Sequence, residues 1–543
     1  MGTKGRLAIL TLVFTALMSV PFLVPHCGWV SLFGIVPLLL MDRIAEREGV
    51  RHFFWWYYLA FLLWNLATTW WVCNATVAGG LFASAANALQ MAVIFALFRI
   101  VRKRLPESAA YIFLAAAWIC WEHLYFDAEI SWPWLVLGNS FARTLSLAQW
   151  YEWTGTLGGS LWIWASNLLI FFCLRRYVSL TSVADDESRT SAAPWRRLLL
   201  PVSTALVLVV PVLVSVLIYT GYRERGEETL DVAIAQPNFD PYQKFQSMTQ
   251  AQQNDVLLRI LDGVVPAGKS DALLLIAPET FTSDIDLKAV QASPSWRSFH
   301  EFLEKRPGTN LLFGAVTREY FFQRSRPSVL ARKLRDGLWV ESHNSALMTD
   351  ATGRTEIFHK SRLVVGVEKT PYPKLFTKID DMLGGVMGRD IGQDEISLLN
   401  VYAPDGTVIP VGCAICYESV YGEYCTGYVR KGARALTVIT NDAWWGDTAG
   451  YRQHLSYASL RAIETRRDIA RCGNTGISAI IDQRGRILKQ TPWWEEASLK
   501  GTIRLNDSIT AFVRYGDVTG RACTALTLLI ILASLVWPLK RKS

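Results

Sequence analysis

Unbroken apolar runs recur along the first two-fifths of the chain and once near its end, at 7–24, 27–41, 53–72, 81–100, 109–125, 161–174, 198–219 and 522–539. Each approaches the ~20 residues that a helix needs to cross a bilayer core. The pattern therefore predicts eight transmembrane helices. Between roughly 224 and 517 it changes to short strands and helices. Runs at 230–236 and 272–277 read as apolar strands, and 247–262 reads as a helix with Leu257, Leu258 and Leu261 on one face. Three strand–turn–strand units follow, 345–350 with 355–359, 399–403 with 408–415, and 477–482 with 486–489, turning at Gly353, Gly406 and Gly485. Strands this apolar are expected to be buried on both faces, which predicts an α/β sandwich with helices outside, in the order α-β-β-α. The expected domains are a membrane domain over 1–221, an α/β domain over 222–517, and a last helix with its tail over 518–543.

Charge adds direction to this picture. Placing Lys4 and Arg6 in the cytoplasm puts Arg43, Arg47, Arg51, Arg99, Arg102, Lys103, Arg104, Arg175, Arg176, Arg196, Arg197, Lys540, Arg541 and Lys542 on the same side. The opposite loops are nearly free of basic residues; 73–80 has none and 126–160 only Arg143. Both termini are thus expected in the cytoplasm and the α/β block outside it. A cleaved signal peptide is the alternative for the first run, but no small-x-small site follows. With 51% hydrophobic residues and 22 Trp the chain does not read as an ordinary soluble enzyme. Its net charge of +8 forms no basic stripe for nucleic acid. Of nine cysteines, Cys27, Cys73, Cys120, Cys173 and Cys523 fall in or beside the spans, so no disulfide framework is expected.

Candidate chemistry lies in the outer block, where Glu279, Lys360 and Cys416 stand at the ends of predicted strands. Taken singly each has an ordinary explanation: a solvated cap, a surface lysine, a core thiol. Together, an acid, an ammonium and a thiol are the parts of a cysteine acyl-transfer site. Cys413 and Cys416 also have redox or zinc spacing, but a strand would point sulfurs three apart to opposite faces. No second cysteine pair follows, and His343, His359 and His454 form no ligand motif. No metal or cofactor is expected, and Cys413 is expected in the core.

Ala277-Pro278-Glu279, His359-Lys360 and Gly412-Cys413-Ala414-Ile415-Cys416-Tyr417-Glu418 resemble, in order, the three signature segments of the nitrilase superfamily. With the predicted spans around them, and with 133–140, 149–158, 441–447, Gln453-His454 and 471–476, the chain resembles the apolipoprotein N-acyltransferase family over nearly its whole length. It departs from the family pattern at Ala277, where Trp is usual, and in the loop 363–367, although Glu368 keeps its place eight residues after Lys360. The resemblance implies a bacterial inner-membrane enzyme, monomeric, whose catalytic domain faces the periplasm. It implies a phospholipid acyl donor, a diacylglyceryl lipoprotein acceptor, and a thioester on Cys416 formed in a ping-pong sequence. Glu279 would be the general base, Lys360 and the Tyr417 N–H would stabilise the oxyanion, and Glu368 and Glu418 would hold Lys360.

Other residues stay open. Asn441, Trp444 and Trp445 are candidate substrate contacts, and of Trp444, Trp445, Trp493 and Trp494 some belong to the core while others line an acyl groove. The segment 371–394 is either a solvated loop or a mobile arm over the site. The competing function is a membrane-tethered nitrilase-type amidase, which delivers the acyl group to water. One span suffices for a tether, whereas eight suit a platform that handles lipid.

Overall fold

The computed structural model describes residues 2–177, 194–242, 244–265, 267–268, 272–382 and 384–536. Of the flanking charges used for orientation, the side chains of Arg196 and Arg197 and the residues Lys540, Arg541 and Lys542 lie outside the described residues. The chain divides into two compact units, Met1–Ala128 with Trp132–Tyr222 and Tyr515–Ser543, and Glu129–Ser131 with Arg223–Arg514.

The first unit is helical, and each apolar run falls in a helical stretch: Thr3–Leu23, Gly28–Arg47, Phe54–Thr69, Val77–Arg102, Glu107–Tyr125, Tyr151–Tyr177, Pro194–Gly221 and Val518–Val536. Among the described residues six helices are long and apolar enough to cross a membrane, against the expected eight. Phe54–Thr69 is short at 16 residues, and Glu107–Tyr125 loses hydropathy to Glu122, His123 and its aromatic rings. Inside, Phe14 packs edge-on to Phe61 and Trp64. Some interior polar groups are tied: Asn87 donates to Asn65 at 2.8 Å, and Asn167 accepts the N–H groups of Ile35 and Val36 at 2.7 and 3.1 Å where the second stretch changes helix.

The second unit holds fourteen strands among its described residues: β1 (Thr229–Gln236), β2 (Leu273–Ile276), β3 (Thr282–Asp286), β4 (Thr309–Phe322), β5 (Arg332–Arg335), β6 (Leu338–Asp350), β7 (Thr355–His359), β8 (Leu399–Tyr402), β9 (Val408–Ile415), β10 (Ala435–Thr440), β11 (Ile469–Gly473), β12 (Ala479–Ile481), β13 (Ile487–Gln490) and β14 (Ala497–Arg504). One sheet runs β14-β1-β2-β4-β6-β5, with β3 beside β4 and β7 beside β6; the other runs β13-β12-β11-β10-β9-β8. Alternate residues take opposite faces. Val232, Ile234, Leu274 and Ile276 meet Val411, Cys413 and Val438 of the second sheet in one core. Ala233, Ala235, Leu273 and Leu275 instead pack under the helices Gln250–Asp262 and Pro294–Glu304 through Leu257, Leu261, Trp296 and Phe299. Burial on both faces is why the sequence shows unbroken apolar runs here. Beyond the second sheet, the helices Gly422–Arg430 and Ala449–Thr465 add Tyr428, Val429, Ala458 and Ala462 to the core.

Three boundaries differ from the sequence expectation. The helix predicted from 247 starts at Gln250, because Thr249 and Gln252 form a reciprocal capping box. The β4–β6 hairpin runs from Asn310↔Asp350 to Phe322↔Leu338, far beyond the predicted 345–350, since polar pairs from Thr317↔His343 to Glu319↔Glu341 interrupt its apolar pattern. The segment 371–394 contains a helix, Pro373–Met382, whose Asp380 and Asp381 are paired with Arg389.

Candidate active site

Three strands deliver the three candidate groups. Glu279 follows the end of β2 by three residues, Lys360 directly follows β7, and Cys416 directly follows β9. Gly314 on β4 makes room for the first: a Cβ there would lie 2.5 Å from the Glu279 Cα. Two of the connecting residues are left-handed although neither is glycine, Thr280 at φ +47° and Cys416 at φ +52°. Such conformations persist only where surrounding contacts enforce them. At Thr280 the enforcing group is the buried Lys244, whose Nζ donates to the carbonyls of Thr280 and Phe281 at 2.8 and 2.9 Å. Burial pushes that ammonium down to about 7.

Lys360 is 1% exposed, and its Nζ donates to Glu279 Oε1 at 2.9 Å and to Glu368 Oε1 at 2.8 Å. Asn344 Nδ2 donates to the same two oxygens, each at 2.8 Å, and the Asn344 carbonyl accepts the Lys360 N–H at 2.8 Å. One ammonium and one amide thus bridge two carboxylates. Their remaining oxygens accept backbone N–H groups, Glu279 Oε2 from Asn441 at 3.1 Å and Glu368 Oε2 from Val364 at 2.7 Å. Every one of these partners is a donor, which suits ionised carboxylates. Burial works to lower the Lys360 pKa, but Glu279 and Glu368 outweigh it and hold the ammonium well above its ordinary range. The Cys416 thiol is pushed well up, first by burial and then by Glu279, with Lys360 acting against them. At rest Cys416 is therefore a neutral thiol within electrostatic reach of both groups.

The supporting residues take varied places. Glu418 was expected to hold Lys360, but it bonds backbone instead. Its Oε1 accepts the Ser361 N–H at 2.7 Å and the Tyr424 hydroxyl at 2.9 Å, and its Oε2 accepts the Ile415 N–H at 2.8 Å. It clasps the residue after the lysine to the residue before the cysteine. Tyr417 is buried in the short helix Cys416–Val420. Asn441 is buried, with its side-chain oxygen accepting from Asn474 at 3.2 Å, so its link to the site runs through its N–H. Trp444 is 40% exposed and meets Tyr242 edge-on, whereas Trp445 lies edge-on to His454. Of the other pair, Trp493 stacks on Tyr451 at 3.7 Å and Trp494 is exposed. Cys413 sits in the core between the sheets, where burial raises its thiol to about 12.

Asn344 was not singled out from the sequence. The readable signal was register: β6 pairs Ser345 with His359, and one more step sets Asn344 opposite Lys360. Also unforeseen was the role of Asp442 and Arg471, whose buried ion pair lies against His454.

Two family models match the chain, carbon-nitrogen hydrolase over residues 231–511 and apolipoprotein N-acyltransferase N-terminal domain over residues 14–169. The apolipoprotein N-acyltransferase of Chlorobaculum tepidum is 29% identical over 521 residues, covering 94% of this chain and 92% of the relative. That of Geobacter metallireducens is 30% identical over 401 residues, covering 72% and 68%. Among solved structures, Saccharomyces cerevisiae Nit3, a member of the nitrilase superfamily, aligns with 54% of this chain and 96% of its own at 15% identity and a TM-score of 0.37.

Proposed function

This chain belongs to the apolipoprotein N-acyltransferase family, and we propose that it moves a fatty acyl chain from a phospholipid to the α-amino group of an N-terminal diacylglyceryl-cysteine. It is a multi-pass bacterial membrane protein with a carbon-nitrogen hydrolase domain. The observation that carries the reading is the Lys360 ammonium shared by Glu279 and Glu368 beside the Cys416 thiol. We take all eight apolar helices as spans, with the catalytic unit in the periplasm of the inner membrane, on the support of the basic flanks.

Cys416 Sγ attacks the ester carbonyl carbon while its proton passes to Glu279. A thiol held well above its ordinary pKa needs such a base at the moment of attack. Lys360 has committed two of its three hydrogens to carboxylates, and the third, with the Tyr417 N–H, stabilises the oxyanion. Collapse breaks the C–O bond, Glu279 returns the proton to the departing oxygen, and lysophospholipid leaves a thioester on Cys416. The acceptor amine then attacks, its proton passes to Glu279, the C–S bond breaks, and the thiol is restored with the amide product.

Intact-mass measurement of the pure protein given a defined phospholipid and no acceptor tests this. One acyl mass on Cys416 with one equivalent of lysophospholipid is expected, discharged by a diacylated lipopeptide. No adduct on Cys416 would defeat the proposal. The carbon-nitrogen hydrolase match also suits a tethered amidase, for which steady hydrolysis without lipopeptide would be seen.

A further inference from the structure

His454 lies on the helix Ala449–Thr465, fully buried, with one ring nitrogen facing a carboxylate and the other facing the backbone of Cys416. Its Nδ1 is 2.8 Å from Asp442 Oδ1, an oxygen that also accepts the Thr440 hydroxyl at 2.8 Å. Asp442 Oδ2 accepts from Arg471 at 2.5 Å. Burial works to raise the Asp442 carboxyl, but Arg471 and His454 hold it well below the usual range, so it is an acceptor only. Nδ1 must therefore carry a hydrogen.

The other nitrogen belongs to a triangle. Nε2 is 3.0 Å from the Cys416 carbonyl and 3.0 Å from Ser419 Oγ, and Ser419 Oγ is 2.8 Å from the same carbonyl. Three close contacts among three polar atoms need two hydrogens. A neutral ring leaves only the Ser419 hydroxyl hydrogen, which can serve Nε2 or the carbonyl but not both. Two lone pairs would then face each other at 3.0 Å. A proton on Nε2 removes the conflict: the ring donates to the Cys416 carbonyl and to Ser419, and Ser419 donates to the same carbonyl.

We propose that His454 is a positioning residue that, doubly protonated, pins the Cys416 carbonyl and so holds the nucleophile in its left-handed conformation. The inference rests on the reading of Cys416 as the nucleophile. Ionisable groups facing the ring include Asp442 and Arg471, and its uncharged neighbours include Ser419, the Cys416 carbonyl and Trp445. Arg471 Nη2, at 3.3 Å from Nδ1, opposes the ring charge, and Asp442, shared between the two cations, offsets it. If the ring loses its proton, the Ser419 hydroxyl turns to Nε2 and the carbonyl loses both donors, which frees Cys416 to relax.

The test uses the full chain, labelled with 15N-histidine, in discs of ether-linked phospholipid that offer no ester to transfer. Of seven histidines, His454 is identified by the signals that vanish in His454→Gln. Both of its ring nitrogens are expected to be protonated at neutral pH. In Ser419→Ala, where a neutral Nε2 has no hydroxyl to accept from, both ring nitrogens should stay protonated. In parallel, iodoacetamide labelling of Cys416 should slow about tenfold or more in His454→Gln, because a carboxamide can serve only one of Asp442 and the Cys416 carbonyl as donor. A neutral ring at neutral pH in the wild type or in Ser419→Ala, or unchanged labelling in folded His454→Gln, would overturn the inference. Labelling needs no phospholipid. A wild-type chain that labels as expected but takes up no acyl group would defeat the proposed function and leave the role of His454 standing.

Discussion

The two units are built inside out with respect to each other's chemistry. In the helical unit large apolar side chains face outward, as at Leu198, Leu206, Leu213 and Leu217, all more than half exposed. In the catalytic unit the largest fully buried side chains include Arg461, Arg466, Arg467 and Arg471. The solvent explains the difference. Lipid offers no hydrophobic drive between helices, so that unit is held by close packing and a few polar ties. Water drives the sandwich together, and charges inside it survive only with specific partners. Arg461 bonds Glu464 at 2.8 Å and the Val420 carbonyl at 2.7 Å, and Arg467 bonds the Ala433 carbonyl at 2.9 Å. A substitution that one unit absorbs should therefore damage the other.

The largest effects belong to the buried charges at the site. Cys416→Ala should abolish lysophospholipid release, whereas Cys413→Ala, three residues away in the core, should retain it. Lys360→Met should reduce release by about a hundredfold, on the order of 3 kcal/mol, and Lys360→Arg by nearly as much, because a planar guanidinium does not fit between two carboxylates built around an ammonium. Near-normal turnover in the arginine variant would remove Lys360 from the oxyanion role. Next comes the scaffold: Arg461→Met breaks the buried ion pair with Glu464 and should lower stability by about 3–5 kcal/mol, read in the melting temperature. An unchanged melt would mean that the buried pair is not held as described.

A matched pair then sharpens the contrast between the units. Leu274→Ala, between the two sheets, should destabilise by about 2–5 kcal/mol. Leu213→Ala, on the outward face of Pro194–Gly221, should change stability by about 0.5 kcal/mol or less. Similar losses at both would refute an outward face in lipid.

The last expected effect is a pH slope. Burial raises the Asp468 carboxyl from 3.8 to about 7, so the folded chain binds its proton more tightly than the unfolded chain does. Its contribution is fully present below 3.8 and is lost as pH rises through about 7. Asp468→Asn should flatten the stability profile across that range; a profile as steep as the wild type would assign the slope to other groups.

Much of this was legible in the sequence, for reasons that differ by region. Hydropathy alone located the eight long helical stretches of the first unit, though not its short helices such as Val72–Ala75 and Leu137–Phe141, because length and apolarity are what a bilayer selects. Among the described residues six of the eight meet that requirement by length and composition, since Phe54–Thr69 is short and Glu107–Tyr125 carries polar residues. In the sandwich, apolar strands were readable, and so was the placing of candidate groups at their ends. The bonds among those groups were not. Asn344 belongs to the site through strand register, and Lys244 reaches it from a helix 36 residues before Thr280. Glu418 was assigned to Lys360 by the family resemblance, whereas its hydrogen bonds go to the Ser361 and Ile415 N–H groups and the Tyr424 hydroxyl. The outer part of the β4–β6 hairpin went unseen because polar residues from Thr317 to Glu319 and from Glu341 to Asn344 cut its apolar residues into runs too short to read.

The clamp on Lys360 has a consequence for what the site admits. Two carboxylates and one ammonium leave the cluster with one surplus negative charge. In the proposed mechanism a thioester on Cys416 adds none, so the acyl-enzyme would present anionic surroundings to a neutral electrophile. Hydroxide is repelled from that field and an α-ammonium is drawn into it, where it gives one proton to solvent before the free amine attacks and passes the next to Glu279. The polarity that keeps the resting thiol protonated then serves as a filter, favouring a cationic amine over the conjugate base of water.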